Sequence, residues 1–326
     1  MQPDRRAFHR LSAALAALLL PAFPLAALAA DGPAVVRIVV PFGAGNPLDT
    51  SARVLAQSLS QVTQRQFIVD NKPGAGGLIG TAEVARARPD GSVLLFTTGG
   101  HTTNAVLYNK LPYDTLADFT PITQIHKADG FVLLVRVDSP YKSVADVLQA
   151  ARAKPGAVSY GSWGTGNTTH LVGELFSRSA NVSLLHVPYK GSPLTDFLGG
   201  HVQLTFLGTS LAQPLLQEGK VRALAITNPH RVASLPEVPT LEELGIRNVD
   251  VPAWSGLLGP AGMPAAMADG LQKDLASAVK LSDYQASMKI QGVTPVVSTP
   301  AQFAAYIRSE VQRYRQQLAP LHISLD

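Results

Sequence analysis

Cysteine is absent from all 326 residues, and tryptophan and methionine are scarce, at two and four. Without cysteine there is no thiolate nucleophile, no cysteine-ligated zinc and no lipid anchor built on that residue. The absence also suits an oxidising compartment, where a stray thiol could mispair. Charge is sparse as well: 15% of residues are Asp, Glu, Lys or Arg, and the formal net charge is only +4. The basic runs of a nucleic-acid binder are missing, and a chain that is 46% hydrophobic is too apolar for disorder. Beyond the first 30 residues, no apolar stretch is long enough to span a bilayer.

Several catalytic and nucleotide motifs are missing too. Gly74-Ala75-Gly76-Gly77-Leu78-Ile79-Gly80 has the spacing GxGxxxG, one residue too long for the dinucleotide fingerprint, and no acid follows about 20 residues on. A GxxxxGK[ST] loop is absent. Ser162 stands in Tyr160-Gly161-Ser162-Trp163-Gly164, with tyrosine where a GxSxG elbow needs its first glycine. His170 and Glu174 share a helical face at i and i+4, but no second histidine completes HExxH, so no metal site is expected. Asp49 reads as a helix N-cap sooner than a general base. Lys190, between Tyr189 and Gly191, suits either an anion contact or plain solvation.

What is present is a repeated unit. Val35 to Val40 is an apolar, β-branched run that ends in a small-residue turn, Gly43-Ala44-Gly45-Asn46, before a helical pattern from about Asp49 to Val62. The unpaired N–H groups and positive dipole end of such a helix form an anion site without any cationic side chain. Two further loops of small and hydroxyl residues, Gly99 to Asn104 and Gly161 to His170, also follow apolar strands. They supply hydrogen-bond donors and no poised nucleophile, which favours recognition over catalysis.

Alternating strands and helices predict an α/β protein with mostly parallel sheets, whose ligands sit at the carboxyl ends of the strands. The pattern restarts near Ile122 and runs to Ile226, and the tail has too few strands for a third domain. The expected organisation is one lobe from 31–126 plus 228–326, a second lobe from 127–227, and two crossings that form a hinge. Residues 1–30 read as an export signal: Arg5, Arg6 and Arg10 precede an apolar stretch broken by Pro21 and Pro24 and ending in Ala27-Leu28-Ala29. Arg5-Arg6 leaves the general and twin-arginine export routes both open.

An ordered series of motifs now adds a family resemblance over Val35 to about Leu318. It comprises Pro41-Phe42-Gly43-Ala44-Gly45 with Asp49, Asn71-Lys72-Pro73-Gly74-Ala75-Gly76-Gly77, Pro89-Asp90-Gly91, His101 with Asn104, and Leu111-Pro112-Tyr113-Asp114. Gly164-Thr165-Gly166, His170-Leu171, His186-Val187-Pro188-Tyr189-Lys190-Gly191 and Leu198-Gly199-Gly200 follow. The chain resembles the periplasmic receptors of tripartite tricarboxylate transporters, the Bug-type solute-binding proteins. That likeness implies a two-lobed, type II Venus-flytrap fold that captures a small carboxylate for membrane permease subunits, as a monomer, with no cofactor, no metal and no catalytic residue.

By the same likeness the ligand-facing residues would be Phe42, Gly43, Ala44, Gly45, Asn46 and Asp49, with His101 and Thr102, in the first lobe. In the second they would be Ser162, Gly164, Thr165, Gly166, Asn167 and Thr168, with Lys190 and Gly191 beside them. Asn46 departs from the pattern, because the family usually has a second consecutive glycine there. The contrasting functions are a ligand sensor for a signalling partner, and a cleft hydrolase using Asp49, His101 or His170.

Overall fold

The computed structural model describes residues 33–291 and 293–318, so the export signal read at 1–30 lies outside the described residues. The first half-fold is built from Val35–Val40 (β1), Pro47–Thr63 (α1), Gln66–Asn71 (β2), Leu78–Ala85 (α2), Val93–Thr98 (β3), Gly100–Leu107 (α3) and Phe119–Ala128 (β4). The chain then crosses to Phe131–Arg136 (β5), Val144–Ala153 (α4), Ser159–Ser162 (β6), Thr168–Ser179 (α5) and Leu185–Pro188 (β7). Leu194–Leu198 (α6), Leu204–Gly208 (β8), Thr209–Gln217 (α7) and Val221–Ile226 (β9) complete that part. Ala253–Pro260 (β10), Ala265–Ala278 (α8), Ser282–Gln291 (α9), Thr294–Pro295 (β11) and Pro300–Leu318 (α10) return to the first.

Two sheets result, with strand orders β11-β4-β10-β3-β1-β2 and β7-β6-β8-β5-β9. Successive residues of a strand face opposite sides of its sheet, and the burial shows both sides covered. Val36, Ile38 and Val40 pack with Leu55 and Leu59 of α1 and Leu271 and Leu275 of α8. Val39 and Leu95 join Val84 of α2 and Phe303 and Ile307 of α10 on the other side. In the second sheet, Leu133 and Val135 meet Val147 of α4 and Leu175 of α5, while Val132 and Leu134 meet Phe197 of α6 and Ala212 of α7.

The sheets are less parallel than the sequence pattern suggests. β1 pairs in parallel with β2 and β3, and β6 with β7 and β8, but β10 is antiparallel to both β3 and β4, and β5 to both β8 and β9. The antiparallel strands β4, β5, β9 and β10 lie next to the crossings, where the chain has to turn back. Periodicity alone missed β4 and left the role of Trp254 to Leu258 open, because a strand's partner is not written in its own sequence. The tail does return to the first sheet, and it supplies a central strand, β10, as well as covering helices.

Both crossings are stitched together. The Phe131 N–H donates to Thr227 Oγ1 and the Thr227 N–H to the Phe131 carbonyl, each at 2.9 Å. The Gly130 N–H donates to Asn228 Oδ1, and a Cβ at Gly130 would fall on that side chain. The two-lobed α/β architecture with a double hinge therefore follows from how β4, β5, β9 and β10 connect.

Tight packing fixes α5 against its sheet. A Cβ on Gly173 would lie 2.2 Å from the Tyr160 ring, which is fully buried on β6. Gly173→Ala is expected to lower the urea midpoint, by about 1–3 kcal/mol in stability, with an unchanged m value. Equilibrium denaturation checks this, and an unshifted midpoint would contradict it.

Candidate functional site

A cavity of about 640 Å³ opens where the carboxyl ends of the parallel strands meet the hinge. Its floor comes from the strands beside the crossings: His126 and Ala128 on β4, Phe131 on β5, and Ala253, Trp254 and Ser255 on β10. Four helix amino ends form the walls. They are marked by Asn46 to Leu48 on α1, Gly99 before α3, Asn167 to Thr169 on α5, and Gly208, Ser210 and Leu211 on α7. Among the described residues that line it there is no Lys, Arg, Asp or Glu, and His126 is the one imidazole.

The loop before α1 is held from behind. Asn46, not Asp49, is the N-cap: its backbone is extended, its Oδ1 accepts from the Leu48 N–H at 2.9 Å, and Pro47 starts the helix. Asp49 lies in the first turn and reaches back, so that Oδ2 accepts the Gly45 N–H at 2.9 Å. Arg53 and Asn71 Nδ2 engage the same carboxylate at 3.0 Å, and Asn71 Nδ2 also binds the Phe42 carbonyl. Burial pushes the Asp49 pKa up, but these donors outweigh it and hold the carboxyl below its ordinary value. Asp49 thus shapes the Gly43–Asn46 turn and does not line the cavity.

The α5 loop is built the same way. Asn167 caps the helix, its Oδ1 accepting from the Thr169 N–H and hydroxyl at 3.0 Å. With both N-cap oxygens occupied, the amide nitrogen is the polar atom each of these two lining side chains has left. Thr169 Oγ1 accepts the Trp163 N–H, Ser162 Oγ the Gly164 N–H, and His170 Nδ1 the Gly166 N–H.

Of the residues expected from the sequence, Gly45, Asn46, Asn167 and Thr168 line the cavity. Gly164 to Gly166 instead close one edge, where a Cβ on Gly76 would lie 2.5 Å from the Thr165 carbonyl and 3.1 Å from the Gly166 Cα. Gly43 similarly faces the Lys190 carbonyl, so Lys190 and Gly191 belong to that edge and are not among the lining residues. Phe42, Gly43 and Ala44 sit beside the lining. His101 and Thr102 are turned away, because 99–104 is no loop but the start of α3 and its first turn points into the first lobe. His101 is 2% exposed, stacks on Tyr113 and meets the Thr115 carbonyl through Nε2, while Thr102 Oγ1 donates to the Gly99 carbonyl.

Ser162 is fully buried and bonds His186 Nε2 at 2.7 Å; His186 stacks on His170 at 3.9 Å. Glu174 accepts from the Tyr160 hydroxyl at 2.9 Å. Among the described residues no group of three His, Asp or Glu is placed to hold a metal ion.

Sequence reasoning missed the floor and the fourth wall. The amino end of α7 follows β8 through Gly208-Thr209-Ser210, the same strand, small-hydroxyl turn and helix seen in the other loops, so it was findable. Trp254 and Ser255 become visible only once β10 is known to cross the cleft floor. His126 bonds Ser255 Oγ through Nδ1 at 2.7 Å and the Tyr284 hydroxyl through Nε2.

A family model described as tripartite tricarboxylate transporter family receptor matches residues 51–321. The chain belongs to this receptor family. Solved structures similar to this receptor include the periplasmic binding protein BugD, 32% identical with a TM-score of 0.81, covering 89% of this chain and 98% of that one. MatC from Rhodopseudomonas palustris, solved with malate, is 28% identical with a TM-score of 0.81, over 87% of this chain and 98% of its own. R. palustris Rpa4515, solved with adipate, is 32% identical with a TM-score of 0.81, over 90% and 99%.

Two outcomes test the receptor's site geometry. Burial lowers the pKa of His101, His126, His170 and His186 from 6.5 to about 4, and at His186 the neighbouring His170 adds to the effect. Unfolding then takes up protons below pH 6.5, so stability is full above that pH and falls as pH drops towards 4. Urea titrations from pH 7 to 5 are expected to show this loss; a flat profile would refute the buried neutral imidazoles. Gly45 has φ +80° and open space beside it. Gly45→Val is therefore expected to weaken carboxylate binding at least about tenfold, through backbone strain and a side chain entering the cavity, with the fold retained. Calorimetry with unchanged affinity would contradict it.

Proposed function

We propose that the protein is a periplasmic receptor that captures a small carboxylate between its lobes and delivers it to the membrane subunits of a tripartite transporter. The observation that carries this is a cavity whose described lining holds no cation and which is ringed by four helix amino ends, each turning the positive end of its dipole towards an anion. The malate and adipate held by related receptors support the ligand class. Ligand-facing residues are Gly45, Asn46, Asn167 and Thr168, joined by Trp254, Ser255 and Ser210, with Gly164 to Gly166, Lys190 and Gly191 forming the closing edge.

The lobes are 31–126 with 228–326, and 127–227, hinged where Phe131 and Thr227 pair. Residues 1–30 act as the export signal, the mature protein works as a monomer, and it binds without turning over its ligand. Against hydrolysis stands the burial of Ser162, away from the lined cavity.

A ligand that binds only the folded state raises its stability, by about 2.7 kcal/mol at a hundredfold excess over Kd. A thermal-shift screen of mono-, di- and tricarboxylates is expected to find acids that raise the melting temperature of the purified protein. No shift with any acid, or turnover of simple esters with no ligand retained, would overturn the receptor function.

A further inference from the structure

The cavity's lining is uneven, and the unevenness bears on which acid it takes. One corner gathers donors. A Cβ on Gly99 would lie 3.3 Å from Trp254 Nε1 and 3.7 Å from Thr168 Oγ1, so indole and hydroxyl meet beside the amino end of α3. Trp254 is 4% exposed, and its Nε1–H has no hydrogen-bond partner. A buried donor left unpaired at a cavity wall awaits an acceptor. The N-cap amides of Asn46 and Asn167, one from each lobe, line the same cavity, each fixed in orientation because its oxygen caps its own helix.

The rest is different. Phe131, Leu194, Leu211, Leu215 and Trp163 present hydrocarbon and aromatic surface. Remaining hydroxyls such as Ser192 and Ser210 are neutral and balance no second charge. His126 offers no spare donor, since Ser255 and Tyr284 already occupy both of its nitrogens. A second carboxylate enclosed against this wall would have only one helix amino end, that of α7, and neutral groups such as Ser192 and Gln291 to replace its water, with no cation among the described lining residues. A hydrocarbon body there gains from leaving water.

Resting on the receptor function proposed above, we infer that the site selects acids with one carboxylate on an apolar body over acids with two or three carboxylates. The carboxylate is anchored by Asn46, Asn167, Thr168 and the Trp254 indole, and the chain or ring lies along Phe131 and the flank of α7. Asn46 is the first-lobe amide of this set, held in place by its own cap, which makes it a specificity-determining residue of this chain.

Hexanoate and adipate make a matched pair, equal in carbon number and differing by one carboxylate. Calorimetry on the purified protein is expected to give hexanoate or phenylacetate at least about tenfold tighter binding than adipate, malate and citrate. Adipate, malate or citrate binding as tightly or tighter, or binding of none of these acids, would overturn the inference; the receptor function falls only if the wider screen of acids finds no ligand. Asn46→Asp keeps a capping oxygen but turns a donor into an anion. It is expected to weaken hexanoate at least about tenfold with an unchanged melting temperature of the free protein. Unchanged hexanoate affinity in that variant would remove Asn46 from the anchor.

Discussion

A buried anion must recover the hydration it gives up, and among the described residues lining this cavity it meets no lysine or arginine to recover it from. The effective penalty for desolvating an ion in a protein is several kcal/mol. A single helix amino end returns about 0.3–1 kcal/mol, up to about 2 where partly buried. One terminus therefore cannot hold a carboxylate. Several converging termini, together with neutral donors worth about 1.5–3 kcal/mol each to a charged acceptor, can. The fold exists to bring those termini to one place.

That requirement explains features that otherwise look unrelated. Parallel strands β1, β3, β6 and β8 each deliver a helix start at the same edge of their sheet, and the antiparallel strands beside the crossings floor the space between. Fixed dipoles serve only if they do not turn, so each loop is tied from outside the cavity. Asp49, Arg53 and Asn71 fix the Gly43–Asn46 turn, and Ser162, Thr169 and His170 fix the turn before α5. Asp49 and His170, which a catalytic account would recruit, are engaged in this bracing. Closure can then be driven by an anion that both lobes solvate at once.

Much of this was legible in the amino-acid order. The β-branched run at Val35–Val40, the small-residue turns and the restart of the pattern near Ile122 carry local information, and local information sets strands, helices and loop positions. The motif series from Pro41 to Gly200 carried the family. What the chain hid was non-local. Asp49 and Asn46 both suit a helix start, and only the back-bond to the Gly45 N–H separates cap from brace. His101 lies in a small, polar stretch that reads as a loop, until α3 turns it onto Tyr113 and Phe119. Trp254 and Ser255 reach the cleft floor because β10 inserts between β3 and β4, a pairing made over more than a hundred residues of separation.

The most direct test is a crystal structure of the protein closed on a bound acid. The carboxylate oxygens are expected within hydrogen-bond distance of the Asn46 and Asn167 amides and the first-turn N–H groups of their helices, with no cationic side chain touching them. A carboxylate found paired to Lys190, Arg53 or any other cation would contradict the claim that oriented neutral donors do the binding.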